Sequence, residues 1–400
     1  MAKILIVAEN PKLDTGQGRI GRTVAEALYN AGHGILYNAW CPSEINRDRK
    51  LPFNIVYAVD DYGNKKFNEL IIQNRPDIVL TIGDIWNFNY INACNTRGLF
   101  KWVSYCAVDG LSVGGKIPNH HGDYLSGADY VIAYTDYGRR GIVLTMPYVE
   151  NRIDRIYHGI DSKTFFPLSD EQRIEVKKKL NVAGKYMFLY SGRTHYRKNI
   201  TSVLKAYKIL LDSDKTKNYG LWINSNFNDP MGYRIDRFIN ELGLVDKVYT
   251  FTKSAYAQTP LDMISEKDYN LLFGMSGCLI NVAAEGFGYN VAEAMFTKTP
   301  VITVDLAATG ELGGNGRAWM VEPGDYLTGL EMTEKPIINP AKLARIMRDC
   351  AHNDNTVMVE KAYKWAIENL EQKQINKQWA RMLDKIEHPL KYDIILEAVA

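Results

Sequence analysis

Short apolar runs recur along the whole chain, each followed by a stretch with helical spacing, and that beat argues for a parallel α/β fold. In the first half the runs predict strands at Lys3–Glu9, Gly34–Trp40, Phe53–Val59, Asp77–Gly83, Lys101–Val108, Tyr130–Thr135 and Arg155–His158. In the second half they fall at Tyr186–Gly192, Tyr219–Ser225, Lys247–Thr252, Cys278–Ala284, Val301–Leu306 and Ala318–Val321. Most are nearly continuous apolar segments, as strands covered on both faces should be. The beat restarts near Lys185, after a charged helical segment at Ser169–Leu180. This predicts two doubly wound, Rossmann-like domains facing a cleft, residues 1–165 and 166–375, with 376–400 returning as a helix to the first.

One stretch organises the second half. The strand from Cys278 runs into Glu285-Gly286-Phe287-Gly288, and an apolar helix carrying Glu293 follows, ending before Pro300. A strand that ends in glycines and opens a helix presents backbone N–H groups and the positive end of the helix dipole, which suits an anion such as phosphate. Glu285 and Glu293 repel phosphate, so they suit something neutral beside it, and sugar hydroxyls are donors for them. Two acids at this spacing, taken alone, are more often incidental surface residues of a helix.

Other strand ends carry chemistry of the same kind, because residues at the carboxyl ends of parallel strands face the ligand crevice. Gly192-Arg193 and Lys198 flank a strand–helix loop, where a planar fork and a point charge can close on one anion; a solvated basic loop is the plain alternative. Arg197 reads as a solvated neighbour. Asp109, before Gly110, can orient a hydroxyl or stabilise positive charge, or can be an ordinary Asp-Gly turn. Gly16, Gly18 and Gly21 spell G-x-G-x-x-G, yet they follow strand one too late for a dinucleotide fingerprint, and no acid ends strand two. They read as a flexible glycine loop facing the cleft; glycines that simply let a loop enter a helix are the plain alternative, and an NAD-dependent oxidoreductase is the lesser one. His120 and His121 read as loop residues. Asp212-Ser-Asp214 reads as loop acids, so no metal site is expected.

Composition changes little. The 46% hydrophobic and 24% charged residues are ordinary for a globular protein, and a net charge of +2 gives no strong field toward nucleic acid or anionic lipid. Five cysteines without a C-x-x-C pair point to thiols in a reducing, cytoplasmic compartment. No apolar run approaches the ~20 residues of a membrane span.

In combination, Glu285-Gly-Phe-Gly-x4-Glu293-Ala-Met, Gly192-Arg193-x4-Lys198 and Ile156-x-His158-Gly-Ile-Asp161-x3-Phe165-x-Pro167 resemble the retaining GT-B glycosyltransferases of family four, the glycosyl transferases group 1. The resemblance implies the GT-B fold and transfer of a hexosyl unit from a nucleotide diphosphate sugar, with UDP or GDP as carrier, and with retention. It implies that Arg193, Lys198 and the Gly286, Phe287 and Gly288 turn hold the donor diphosphate, that Glu285 binds donor sugar hydroxyls, and that Glu293 binds the ribose. Asp109 then lies at the reacting region, Gly16 and Gly18 near the donor phosphate, and Ser254 and Tyr256 near the base. Asp161 becomes an interdomain anchor, and Thr309-Gly310-Glu311 a partial match to a phosphate-lining turn. No metal and no cofactor beyond the donor are implied. The acceptor stays open among glycan, lipid, protein, small metabolite and modified nucleic acid. A nucleotide-sugar-binding protein without transferase activity is the main alternative.

Overall fold

A computed structural model of the chain describes residues 1–42, 48–58, 61–227, 229–250 and 265–387. The chain divides into two compact units. One comprises Met1–Val108, Gly115–Gly159 and the chain from Gln372 on; the other comprises Asp109–Gly114 and Ile160–Glu371.

The first unit is built on seven strands: β1 (Lys3–Glu9), β2 (Gly34–Trp40), β3 (Asn54–Tyr57), β4 (Ile78–Asp84), β5 (Lys101–Ala107), β6 (Tyr130–Ala133) and β7 (Ile153–Arg155). They pair in parallel in the order β3-β2-β1-β4-β5-β6-β7. Ile4 to Ala8 are all buried, which fits a central strand covered by helices on both faces. The seventh strand is earlier than the sequence predicts. Ile156 N still donates to Ala133 O on β6 at 3.1 Å, but Ile156 O and His158 turn to a side chain: the Tyr105 hydroxyl donates to Ile156 O at 2.9 Å and accepts from His158 Nδ1 at 2.6 Å. Burial pushes the His158 pKa well down, so the ring is neutral, consistent with one N–H aimed at Tyr105. Gly159 lies against the amide end of the Gln372 side chain, which an added Cβ would have to displace. The final helix, Gln372–Glu387, packs Trp379 edge-on against Tyr105 at 4.9 Å between ring centroids.

The second unit has six parallel strands: β8 (Tyr186–Ser191), β9 (Tyr219–Asn224), β10 (Val248–Tyr249), β11 (Cys278–Asn281), β12 (Val301–Val304) and β13 (Trp319–Val321). Their order is β10-β9-β8-β11-β12-β13, so the winding reverses between β8 and β11. Phe188, Ile200, Leu204, Leu221, Ile280 and Ile302 share one buried core. An antiparallel hairpin, β14 (Asp325–Thr328) and β15 (Glu334–Ile337), is absent from the sequence reading, because every residue of β14 is exposed and no alternation marks it. The charged segment before β8 is a helix, Asp170–Lys179, closed by a capping box between Ser169 and Gln172. Among the described residues no helix is long and apolar enough to cross a membrane.

Candidate functional site

The reversal between β8 and β11 is where ligands enter doubly wound sheets, and the two loops that leave these strands carry the candidate residues. After β11 the chain passes through Glu285 and Gly286 to Gly288, which caps the helix Tyr289–Phe296 at φ 92° and ψ 60°. That left-handed conformation favours glycine, and an added Cβ would also stand 3.0 Å from Thr309 Cγ2. Two amides lock the corner: Asn281 Nδ2 donates to Asn290 Oδ1 at 2.6 Å, and Asn290 Nδ2 donates to Ser191 O at 2.8 Å. The end of β11, the helix start and the end of β8 are therefore one rigid piece. Glu293 lies in that helix at 2% exposure.

After β8, a short 3-10 turn, Tyr196–Lys198, precedes the helix Ile200–Ser213. Asn199, at φ 56°, links them, and its Nδ2 donates to Val282 O and to Pro336 O, both at 2.9 Å. This fixes Lys198, whose ammonium bonds Glu285 Oε1. Burial, and next the Arg197 guanidinium, push the Lys198 pKa down to about 8 against the pull of Glu285. Arg193 goes elsewhere. Its fork closes on Asp229, with Nε to Oδ2 at 2.7 Å and Nη2 to Oδ1 at 2.8 Å, and these bonds hold the Asp229 carboxyl below the usual carboxylate range. In this structure Arg193 and Lys198 thus each meet their own carboxylate instead of converging on one anion.

Arg197 is not a solvated neighbour. Its Nη1 lies 3.8 Å from Asp109 Oδ2 and 3.8 Å from Glu285 Oε2, joining the two acids. Lys335, on β15, bonds Asp109 Oδ1 at 2.7 Å and Asp109 O at 3.1 Å. Partial burial would raise the Asp109 pKa, but Lys335 and Arg197 outweigh it and hold the carboxyl below its ordinary value. The structure therefore brings together Asp109, Arg197, Lys198, Glu285 and Lys335, and sets Arg193 with Asp229. Four cations face three carboxylates, an excess of one positive charge. Arg197, Asp229 and Lys335 were missed from sequence. The strand-end position was a signal for Arg197; nothing marks Asp229 or Lys335, which pair across 36 and 226 residues.

Several expectations need correction. Gly16 and Gly18 do not form a flexible loop but the first turn of the helix Gly16–Asn30, where Gly18 N donates to Glu9 Oε2 at 2.9 Å. A carboxylate at that amide opposes a pyrophosphate, which counts against the dinucleotide reading. The glycines there serve close packing: a Cβ on Gly18 would lie 2.8 Å from Leu13 O, and one on Gly21 would lie 2.0 Å from the Tyr37 hydroxyl. His120 and His121 open the helix Asn119–Leu125 and are not in a loop, since Pro118 supplies the first carbonyl acceptors, to His121 N and Gly122 N. Asp212 lies in the helix Ile200–Ser213 and pairs with Lys208, whereas Asp214 accepts from Tyr219 Oη at 2.6 Å and from His352 Nε2 at 2.7 Å. Both acids are structural. The Asp161 carboxylate accepts from Lys163 N and Thr164 Oγ1, each at 3.0 Å, and its carbonyl accepts from Thr164 N and Phe165 N. Ser254 and Tyr256 lie outside the described residues. Thr309 and Gly310 fall inside the helix Ala307–Gly313, with Ala308 N donating to Glu285 O at 3.3 Å.

Residues 171–347 match the family described as Glycosyl transferases group 1. The O-antigen chain mannosyltransferase RfbU of Salmonella typhimurium is 28% identical over 233 residues, 57% of this chain and 60% of that protein. The chain thus spans less than two thirds of that relative's length. Among solved structures, Anabaena HepE in complex with UDP and glucose superposes at a TM-score of 0.74, with 14% identity, 96% of this chain covered and 100% of that one. A glycosyltransferase from Rickettsia africae gives 0.70, with 19% identity, 96% of this chain and 98% of that one. At such identities the likeness speaks for the fold. The chain has the GT-B fold, and its residues 171–347 are similar to the glycosyl transferases group 1 family.

Proposed function

We propose that this chain is a retaining hexosyltransferase that moves a sugar from a nucleoside diphosphate sugar to an acceptor hydroxyl without a divalent ion. The observation that carries the reading is the joint placement of Lys198, Arg197, Glu285 and the Gly288-led helix at the strand reversal of the second unit. Its net positive charge and helix dipole suit a diphosphate, and its carboxylates suit hydroxyl donors. On donor binding, Lys198 and Arg193 turn part of their hydrogen-bonding capacity to the diphosphate, together with the amides of Gly286, Phe287 and Gly288. Arg193 keeps donors to spare, since two of the five on its guanidinium serve Asp229. Glu285 binds donor sugar hydroxyls and Glu293 the ribose.

In the transfer, the bond from the anomeric carbon to the diphosphate oxygen breaks as the acceptor oxygen bonds that carbon on the same face. The acceptor proton passes to the leaving phosphate oxygen. Asp109 stabilises the positive charge that develops at the sugar, and the cations stabilise the departing diphosphate. RfbU is named a mannosyltransferase, and HepE is solved with UDP-glucose, so mannose and glucose on GDP and UDP are the first donors to test. The test is turnover and hydrolysis across a panel of UDP-, GDP- and ADP-sugars, followed by a co-structure with the best donor. Release of no nucleoside diphosphate from any of them would refute the proposal.

A further inference from the structure

The β14–β15 hairpin does more than decorate the second unit. Lys335 is 6% exposed and reaches Asp109 twice, through the carboxylate at 2.7 Å and through the main-chain carbonyl at 3.1 Å. The residues on either side repeat the grip. Glu334 N donates to Leu111 O at 2.8 Å, and the next residue, Pro336, accepts from Asn199 Nδ2 at 2.9 Å. Gly110 is pressed against the same strand, since a Cβ there would lie 2.9 Å from Glu334 O and 3.1 Å from Lys335 Nζ. One strand of the hairpin therefore holds both the Asp109 segment and the residue that follows Lys198.

The chemistry argues against a purely structural role. Removing an ammonium from water is costly, and a buried ion pair generally adds no more stability than well-packed apolar residues would. A buried lysine does offer something an apolar residue cannot: it fixes where a carboxylate points and keeps it charged. The Asp109 side chain stays 35% exposed, with one oxygen held by Lys335 and the other near Arg197, so a solvent-open face remains. Lys335 itself has no such face and acts only through Asp109.

We propose that Lys335 is a positioning residue for glycosyl transfer, holding the Asp109 carboxylate beside Arg197 and Glu285. The inference rests on the transferase reading above. Its test compares the full-length parent with Lys335→Gln, Lys335→Arg, Asp109→Asn and the Asp109→Asn/Lys335→Gln double variant. Turnover is measured with the nucleotide sugar that the parent uses best, and the dissociation constant of the matching nucleoside diphosphate by calorimetry. Lys335→Gln is expected to lower kcat about 10–100-fold, as misplacement of a reacting group does. The nucleotide dissociation constant should stay within about 3-fold, because the lost interaction belongs to the transition state. Lys335→Arg should recover part of the rate, and the double variant should be no slower than Asp109→Asn alone. If Lys335→Gln unfolds with Asp109 left unpaired, the double variant, which removes both charges, still gives the comparison with Asp109→Asn. A Lys335→Gln kcat within about 2-fold of parent, or losses that multiply in the double variant, would overturn the proposal. A parent that turns over no nucleotide sugar overturns both readings; an active parent indifferent to Lys335 overturns this one alone.

Discussion

Replacing Arg193 by Ala separates two jobs that the structure assigns to one neighbourhood. The Arg193 side chain is 51% exposed, while its partner Asp229 is 4% exposed and also accepts from Met231 N at 3.1 Å. Truncation leaves the Asp229 charge without its fork. An exposed pair contributes up to about 1 kcal/mol and a fully buried one costs about 3–5 kcal/mol when broken, so this half-exposed pair should cost roughly 1–3 kcal/mol of stability. Loss of one donor to a departing anion costs about 10²–10³-fold in kcat. Arg193→Ala should therefore show both effects: a lower denaturant midpoint and a rate lower by two to three orders of magnitude, on the scale just given. Adding Asp229→Asn removes the stranded charge and should restore most of the stability but none of the rate. Chemical denaturation and steady-state turnover on the parent and the two variants decide the matter. If Arg193→Ala/Asp229→Asn regains kcat to within a few-fold of parent, Arg193 serves Asp229 and not the diphosphate.

Three further outcomes are expected. The Lys198 pKa, pushed down to about 8 in the folded chain, means that its ammonium is lost as pH rises through that value, so kcat/KM should fall above pH of about 8. The unfolded chain then binds more protons than the folded one up to the free lysine value of about 10.4, so this group alone makes stability rise over the same window; a Lys198→Met variant should flatten both trends. Gly288→Ala should lower stability by about 1–2 kcal/mol in thermal melts, since a left-handed residue gains a Cβ close to Thr309, and parental stability would contradict that backbone reading. Chelator should leave turnover unchanged, and strict dependence on added manganese would refute the metal-free scheme.

The strands that the sequence reading places best are the ones whose environment is uniform. β1 and β2 occupy the predicted bounds because a central parallel strand is apolar along its length. β7 shifts because Ile156 to His158 are as buried as a strand, yet Ile156 O and His158 Nδ1 turn to the Tyr105 hydroxyl, a distinction hydropathy does not carry. The histidine pair was misread for a related reason, since Pro118 suggests a loop but also suits a helix entrance. At the site, the glycine turn with Glu285 and the Arg193–Lys198 loop were legible, because local chain geometry alone puts amides and cations at strand ends.

Local spacing thus settled the α/β class, the strand that ends in Glu285-Gly286-Phe287-Gly288, and the basic loop after β8, each being a property of neighbours within a few residues. Which charge meets which was settled by the fold alone. Arg193 takes Asp229 across 36 residues, and Lys335 takes Asp109 across 226, on a hairpin whose exposed strand leaves no periodic trace. Coulomb attraction between side chains depends on distance in space, and only the packed sheets convert sequence separation into that distance.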